Sequence, residues 1–207
     1  YFAQHQQFTL DQWIILEQSG AVFLPASKWR NGSTFTNSSE GGHYWSSTCG
    51  EISTNAHYFS FGSQEAWMNS NSLHRCFAVR LVHDTIVPQT IPDPCLVVKV
   101  NDTLSINMMC VEGGTFKPTG QNDKVTLQDY YMLDTEVTQA LWEAVMQISV
   151  PKTTRNHPIH GHGKLIWKDT QVFIERLNRL TGLCFSLPTK EQWEFAAMGG
   201  VHSRGYT

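Results

Sequence analysis

Between Thr138 and Met146 the apolar positions Ala140, Leu141, Ala144 and Val145 recur three and four residues apart, the stripe of an amphipathic helix. A second stripe, Val172, Phe173, Leu177 and Leu180, predicts a helix over "DTQVFIERLNRLTG", capped by Asp169 and stopped by Gly182. A third helix begins inside "LPTKEQWEFAAMGG", residues 187–200. There Thr189 caps the first turn, Gln192 completes a capping box, and Gly199 and Gly200 end the element. A fourth, shorter helix is expected in "TLDQWIILEQS", residues 9–19, with Thr9 and Gln12 as its capping box and Gly20 as its stop. Thr-x-acid-Gln-Trp recurs in "FTLDQW" and "LPTKEQW"; an internal repeat and the shared grammar of a capped helix start both produce this pattern.

Other stretches change the period. "AVFLPA" is apolar throughout and reads as a buried strand, while "AHYFSF" and "FAVRLV" alternate as half-buried strands do. Asn101-Asp102, between "CLVVKV" and "TLSINMMCV", predicts a hairpin. From Trp29 to Asn71 Gly, Ser, Thr and Asn dominate, with aromatic residues set among them, and "QEAWMNSNS" reads as a loop. Pro88, Pro92 and Pro94 cluster in the segment 83–95, where missing backbone donors favour an extended linker. This is the best candidate for a boundary between a first part, 1–82, and a second, 96–207.

At 207 residues and 41% hydrophobic content, the chain has enough apolar material for a sizeable core. Seven Trp, 11 Phe and 6 Tyr in turn-rich company favour β structure over a helical bundle. A net charge of −3 gives no electrostatic footprint for nucleic acid. No apolar run is long enough to span a membrane. The chain starts at Tyr1, so a secretion leader is not something it can display.

The five cysteines, Cys49, Cys76, Cys95, Cys110 and Cys184, include no C-x-x-C pair, which argues against a zinc site. Cys110 and Cys184 read as buried small hydrophobes, and Cys49 and Cys76 are able to pair only in an oxidising compartment. His157, His160 and His162 offer imidazoles at a metal-like spacing, but no acidic group stands beside them, and a polar loop is the plainer reading. Glu136, Glu191 and Glu194 raise the question of acid–base work. Glu191 and Glu194 sit near a helix start, where the dipole favours negative charge, so a structural role is expected. Tyr44 and Trp45 read as core. Trp29, Trp67, Asn69, Asn71 and Arg75 combine aromatic surface, amides and a guanidinium, a composition suited to recognising a sugar or protein ligand.

Four motifs in order, "VEGGTF", "DTEVTQALWEAVM", "IWKDTQVFIERLNRLTG" and "LPTKEQWEFAAMGG", make residues 96–207 resemble the formylglycine-generating enzyme (sulfatase-modifying factor) family. The first part resembles the closing half of a Fibrobacter major paralogous, or C-type-lectin-like, domain through "GAVFLPASKWRNG", "GGHYWSST", "AHYFSFGS" and "HRCFAVRLV". Together these resemblances imply an α+β, C-type-lectin-like fold represented by partial domains: the tail of one, a proline-rich linker, and the head of another. They also imply a bacterial, extracytoplasmic or cell-surface setting.

The resemblance further implies what the chemistry would need. The family's oxidase holds copper between two cysteine thiolates, as soft ligands hold Cu(I). The corresponding strand in the first part is "AHYFSF", which has no Cys. The expectation is therefore a fragment of a surface protein that recognises a protein or carbohydrate ligand, with no catalysis and no cofactor of its own. Copper and calcium would belong only to an active parent. The alternative is a truncated formylglycine-generating copper oxidase that activates sulfatases. A third arrangement packs the two parts together as one permuted domain, tail first and head second.

Overall fold

The computed structural model describes residues 26–27, 29–31, 34–36, 41–62, 66–84, 95–149, 159 and 167–202. The expected helix at 9–19, most of "AVFLPA", residues 85–94 of the expected linker 83–95 and the three clustered histidines lie outside these residues; His83, Asp84 and Cys95, expected in the linker, are strand residues.

The first part contributes short strands β1 (Trp29–Asn31), β2 (Thr34–Thr36) and β6 (Arg75–Cys76), paired in the order β2-β1-β6. It also contributes a meander of β3 (Gly42–Cys49), β4 (Asn55–Phe61) and β5 (Ala66–Ser72). Alternation gives this meander two apolar faces. Trp45, Ala56 and Tyr58 enter one core cluster, and Tyr44 and Phe59 enter another, against which Phe61 and Met68 pack.

In the second part, β8 (Cys95–Asn101) and β9 (Leu104–Val111) form the expected hairpin. The Asn101 Oδ1 accepts the Thr103 N–H at 2.9 Å and fixes the turn. A small ribbon of β10 (Gly114–Phe116) and β11 (Val125–Leu127) follows, then β12 (Tyr130–Leu133). Helix α1 (Gln139–Met146) starts on Thr138, whose hydroxyl accepts the Leu141 N–H, and helix α2 (Trp167–Thr181) ends before Gly182 at φ 72°. Helix α3 (Lys190–Ala197) carries the full Thr189/Gln192 capping box.

Two details of α2 depart from the pattern. Asp169 lies within the first turn, not at the cap, where its charge still suits the helix dipole. The buried face is Thr170, Phe173, Ile174 and Leu177; Val172 and Leu180 are exposed, because α2 packs on α1 and β13 (Phe185–Ser186) through a narrower stripe. Trp142 of α1 stacks on Phe173 of α2 at 4.7 Å.

The two parts share one sheet. Its order is β13-β7-β12-β9-β8, with β7 (Val82–Asp84) held antiparallel between β13 and β12. Just ahead of β7, Phe77–Leu81 runs extended without belonging to any strand except through the Tyr44–Ala78 bridge. The "FAVRLV" run is thus not the half-buried strand expected: all six residues are buried, and its backbone bonds go to three different segments. Ala78 exchanges bonds with His43 and Trp45 of β3, Leu81 accepts from Leu133 N–H at 2.9 Å, and Val79 accepts from Val137 N–H at 2.9 Å. On the side chains, Trp193 of α3 packs against Tyr44 (5.1 Å) and lies parallel to Phe59 (5.7 Å), while its Nε1 donates to the Trp45 carbonyl at 3.0 Å. Both core clusters draw on residues from each side of the linker, so the two parts pack against each other.

Trp193 joins the parts through both apolar contact and a buried hydrogen bond. Trp193→Ala is expected to cost about 3–5 kcal/mol in urea unfolding, well above an exposed substitution.

Candidate ligand-binding surface

The stretch 66–72 is strand β5, not a loop. Its Asn and Ser content hides the alternation that its apolar neighbours would have shown. Pairing with β4 sets Trp67 beside Ser60, Asn69 beside Tyr58 and Asn71 beside Ala56, so the three side chains emerge from one face. Trp67 is 38% exposed and Asn69 is exposed, while Asn71 is half-buried. The strand places Trp67 and Asn71 about 13 Å apart.

Both asparagines turn back on the strand. The Asn69 Oδ1 accepts the Ser70 N–H and the Asn71 Oδ1 accepts the Ser72 N–H, each at 2.8 Å. This occupies backbone donors on a sheet edge, which blunts strand addition. What each asparagine then offers a ligand is its Nδ2 donor pair. Trp29 and Arg75 are brought together separately: the guanidinium carbon sits 4.7 Å from the indole centroid. Trp29 in turn leans on His43 and Phe77, part of an aromatic stack that includes Tyr58 and Trp45.

The carboxylates do not form a catalytic pair. Glu194 Oε1 accepts the Thr119 N–H at 2.5 Å, and Glu191 lies 3.5 Å from the Gln121 amide and 3.6 Å from Lys190. Both fasten the loop after β10 to α3, the structural role expected of them. Glu136 stands elsewhere, only 3% exposed, beside Tyr44 and Arg80.

This buried cluster was the feature least visible in the sequence. Arg80 is 1% exposed; its Nε donates to the Leu133 carbonyl at 2.6 Å and its Nη2 to the Asp134 carbonyl at 2.7 Å. Burial lowers its pKa to about 10, against the charges of Tyr44, Glu136 and Asp134. Burial likewise raises the Glu136 pKa to about 7, although a Tyr44 hydrogen bond and Arg80 favour its ionised form. Tyr44 is raised well above its usual value, by burial first and by Glu136 second. The signal for this cluster was an arginine in the otherwise apolar run "FAVRLV", since buried arginine calls for a partner.

The thiols do not come together either. All five cysteines are free, and they stand on five different segments. Cys95 and Cys110 are on neighbouring strands, but Cys95 is opposite Met109, so the two thiols point to opposite faces of the sheet. Cys110 is half-buried and Cys184 is exposed, which corrects its reading as a core residue; it sits in the turn after α2. The residues present do not fit a two-thiolate copper site. Among the described residues no group of three or more His, Cys, Asp or Glu side chains is arranged to hold a metal.

A model of the sulfatase-modifying factor enzyme 1-like domain matches residues 96–207, more than half of the chain. The chain belongs to this family. No curated protein and no solved structure matches it. The family match and the observed mixture of helices and sheets agree on an α+β domain related to formylglycine-generating enzymes. Among the described residues no helix is long and apolar enough to cross a membrane.

Exposure separates candidate ligand-binding residues from core residues in this aromatic-rich part. Trp67→Ala is expected to cost about 1 kcal/mol in unfolding free energy, whereas Trp45→Ala is expected to cost about 3–5 kcal/mol. Parallel chemical denaturation of the two variants checks the contrast.

Proposed function

We propose that this chain is a recognition module: a C-type-lectin-like member of the sulfatase-modifying factor family that binds a protein or carbohydrate ligand and does not itself make formylglycine. The observation that carries the reading is the dispersal of its thiols. Cysteine oxidation on a copper centre needs two thiolates on one ion, and here five cysteines stand on five segments, with the nearest neighbours in register facing opposite ways.

The binding face we favour is the β5 ladder of Trp67, Asn69 and Asn71, with Trp29 and Arg75 as further candidates. An exposed indole gives a flat apolar platform at little entropic cost, and the asparagine amides add donors at fixed spacing. The first part's resemblance to major paralogous domains supports a place at the bacterial cell envelope. That setting is part of the proposal, as are the lectin-like form of the fold and the reading of residues 1–82 and 96–207 as tail and head of related domains.

The family match favours one other reading, in which the protein serves as a formylglycine-generating oxidase. Incubating the chain with copper and a Cys-x-Pro-x-Arg peptide separates the two. The recognition reading expects no aldehyde by hydrazide labelling, and aldehyde formation would overturn it. On arrays of oligosaccharides and extracellular proteins, Trp67→Ala is expected to weaken binding by about tenfold or more. Unchanged binding would remove β5 from the site.

A further inference from the structure

We propose that the seam between the two parts is a pH-responsive joint, in which the buried Glu136 carboxyl holds the parts most firmly when protonated and loosens them as it ionises. The cluster that carries this spans the seam. Tyr44 comes from β3 and Arg80 from the run ahead of β7, both in the first part, while Glu136 and the carbonyls of Leu133 and Asp134 belong to the second.

The carboxyl is poorly placed for a charge. It is 3% exposed, and its Oε1 has no hydrogen-bond partner among the described residues. A protonated carboxyl carries no charge to desolvate, but an ionised one leaves that oxygen unsatisfied in a low-dielectric site. The ionisable groups around it are Tyr44 and Arg80, with Asp134 acting on Arg80. Arg80 favours the ionised form, but burial outweighs it.

The direction of the linkage follows. Burial outweighs the Tyr44 hydrogen bond and Arg80 and sets the folded-state pKa at about 7, above the ordinary value of 4.5. Between those values the unfolded chain releases a proton that the folded chain keeps. The contribution is therefore complete below pH 4.5, declines as pH rises, and levels off above about 7. Across that window the folding equilibrium loses roughly a hundredfold from this one group. Both core clusters cross the seam, so separating the parts would open both cores to water.

Urea unfolding of the full chain and of Glu136→Gln, at pH 4.5, 6 and 7.5, tests the joint. The amide stays neutral throughout, so the wild-type folding constant divided by that of the variant is expected to fall roughly a hundredfold across the series. A ratio that stays constant with pH overturns the proposal. Should the glutamine variant not fold, Tyr44→Phe provides a second arm. It removes a hydrogen bond that favours the ionised carboxyl, so its deficit against wild type is expected to widen as pH rises. Superimposable stability profiles overturn the proposal equally.

Discussion

One extended run, Cys76 to Asp84, holds the molecule together. Its backbone is bonded on one side to β3 and on the other to Leu133 and Val137, and then continues as β7 between β12 and β13. Phe77, Val79 and Leu81 fill one core cluster, and Ala78 and Val82 fill the other. From Cys76 to Val82 the segment is buried, so its polar groups must find partners within the protein. The segment can meet that demand only when the two parts lie on either side of it.

Arg80 belongs to the same constraint. A buried guanidinium is tolerated where its donors are used and an opposite charge lies near. The Leu133 and Asp134 carbonyls take its donors and the Asp134 carboxylate supplies the charge, and both residues come from across the seam. The side-chain chemistry therefore specifies the same neighbour as the backbone, and that agreement favours one packing over alternatives. The surface ladder on β5 depends on it indirectly. β5 is held by β4, and β4 is fixed by burying Ala56, Tyr58 and Phe59 against cores that both parts build.

Local features were legible in the sequence. The helix start near Thr138, the Thr189/Gln192 capping box, Gly182 and the Asn101 turn are each decided within a few residues, and each occurs where the pattern predicts it. What depended on partners was not legible. The exposure of Val172 and Leu180 is set by how narrow a stripe the neighbours of α2 cover, which no periodicity states. β5 read as a loop because Trp67, Asn69 and Ser70 face solvent, leaving little apolar alternation to detect. Arg80 and Glu136 lie 56 positions apart in sequence and meet only through the fold. The family of the second part was readable because four motifs in order are specific, and the matched residues 96–207 coincide with the stretch that carries them.

The central claim is that the residues before and after the segment 85–94 form one folded unit. A single protease site engineered within that segment tests it directly. After complete cleavage, the account predicts that the two pieces co-elute on gel filtration and unfold together in one urea transition. Separation of the pieces under native conditions, or two independent transitions, would contradict it.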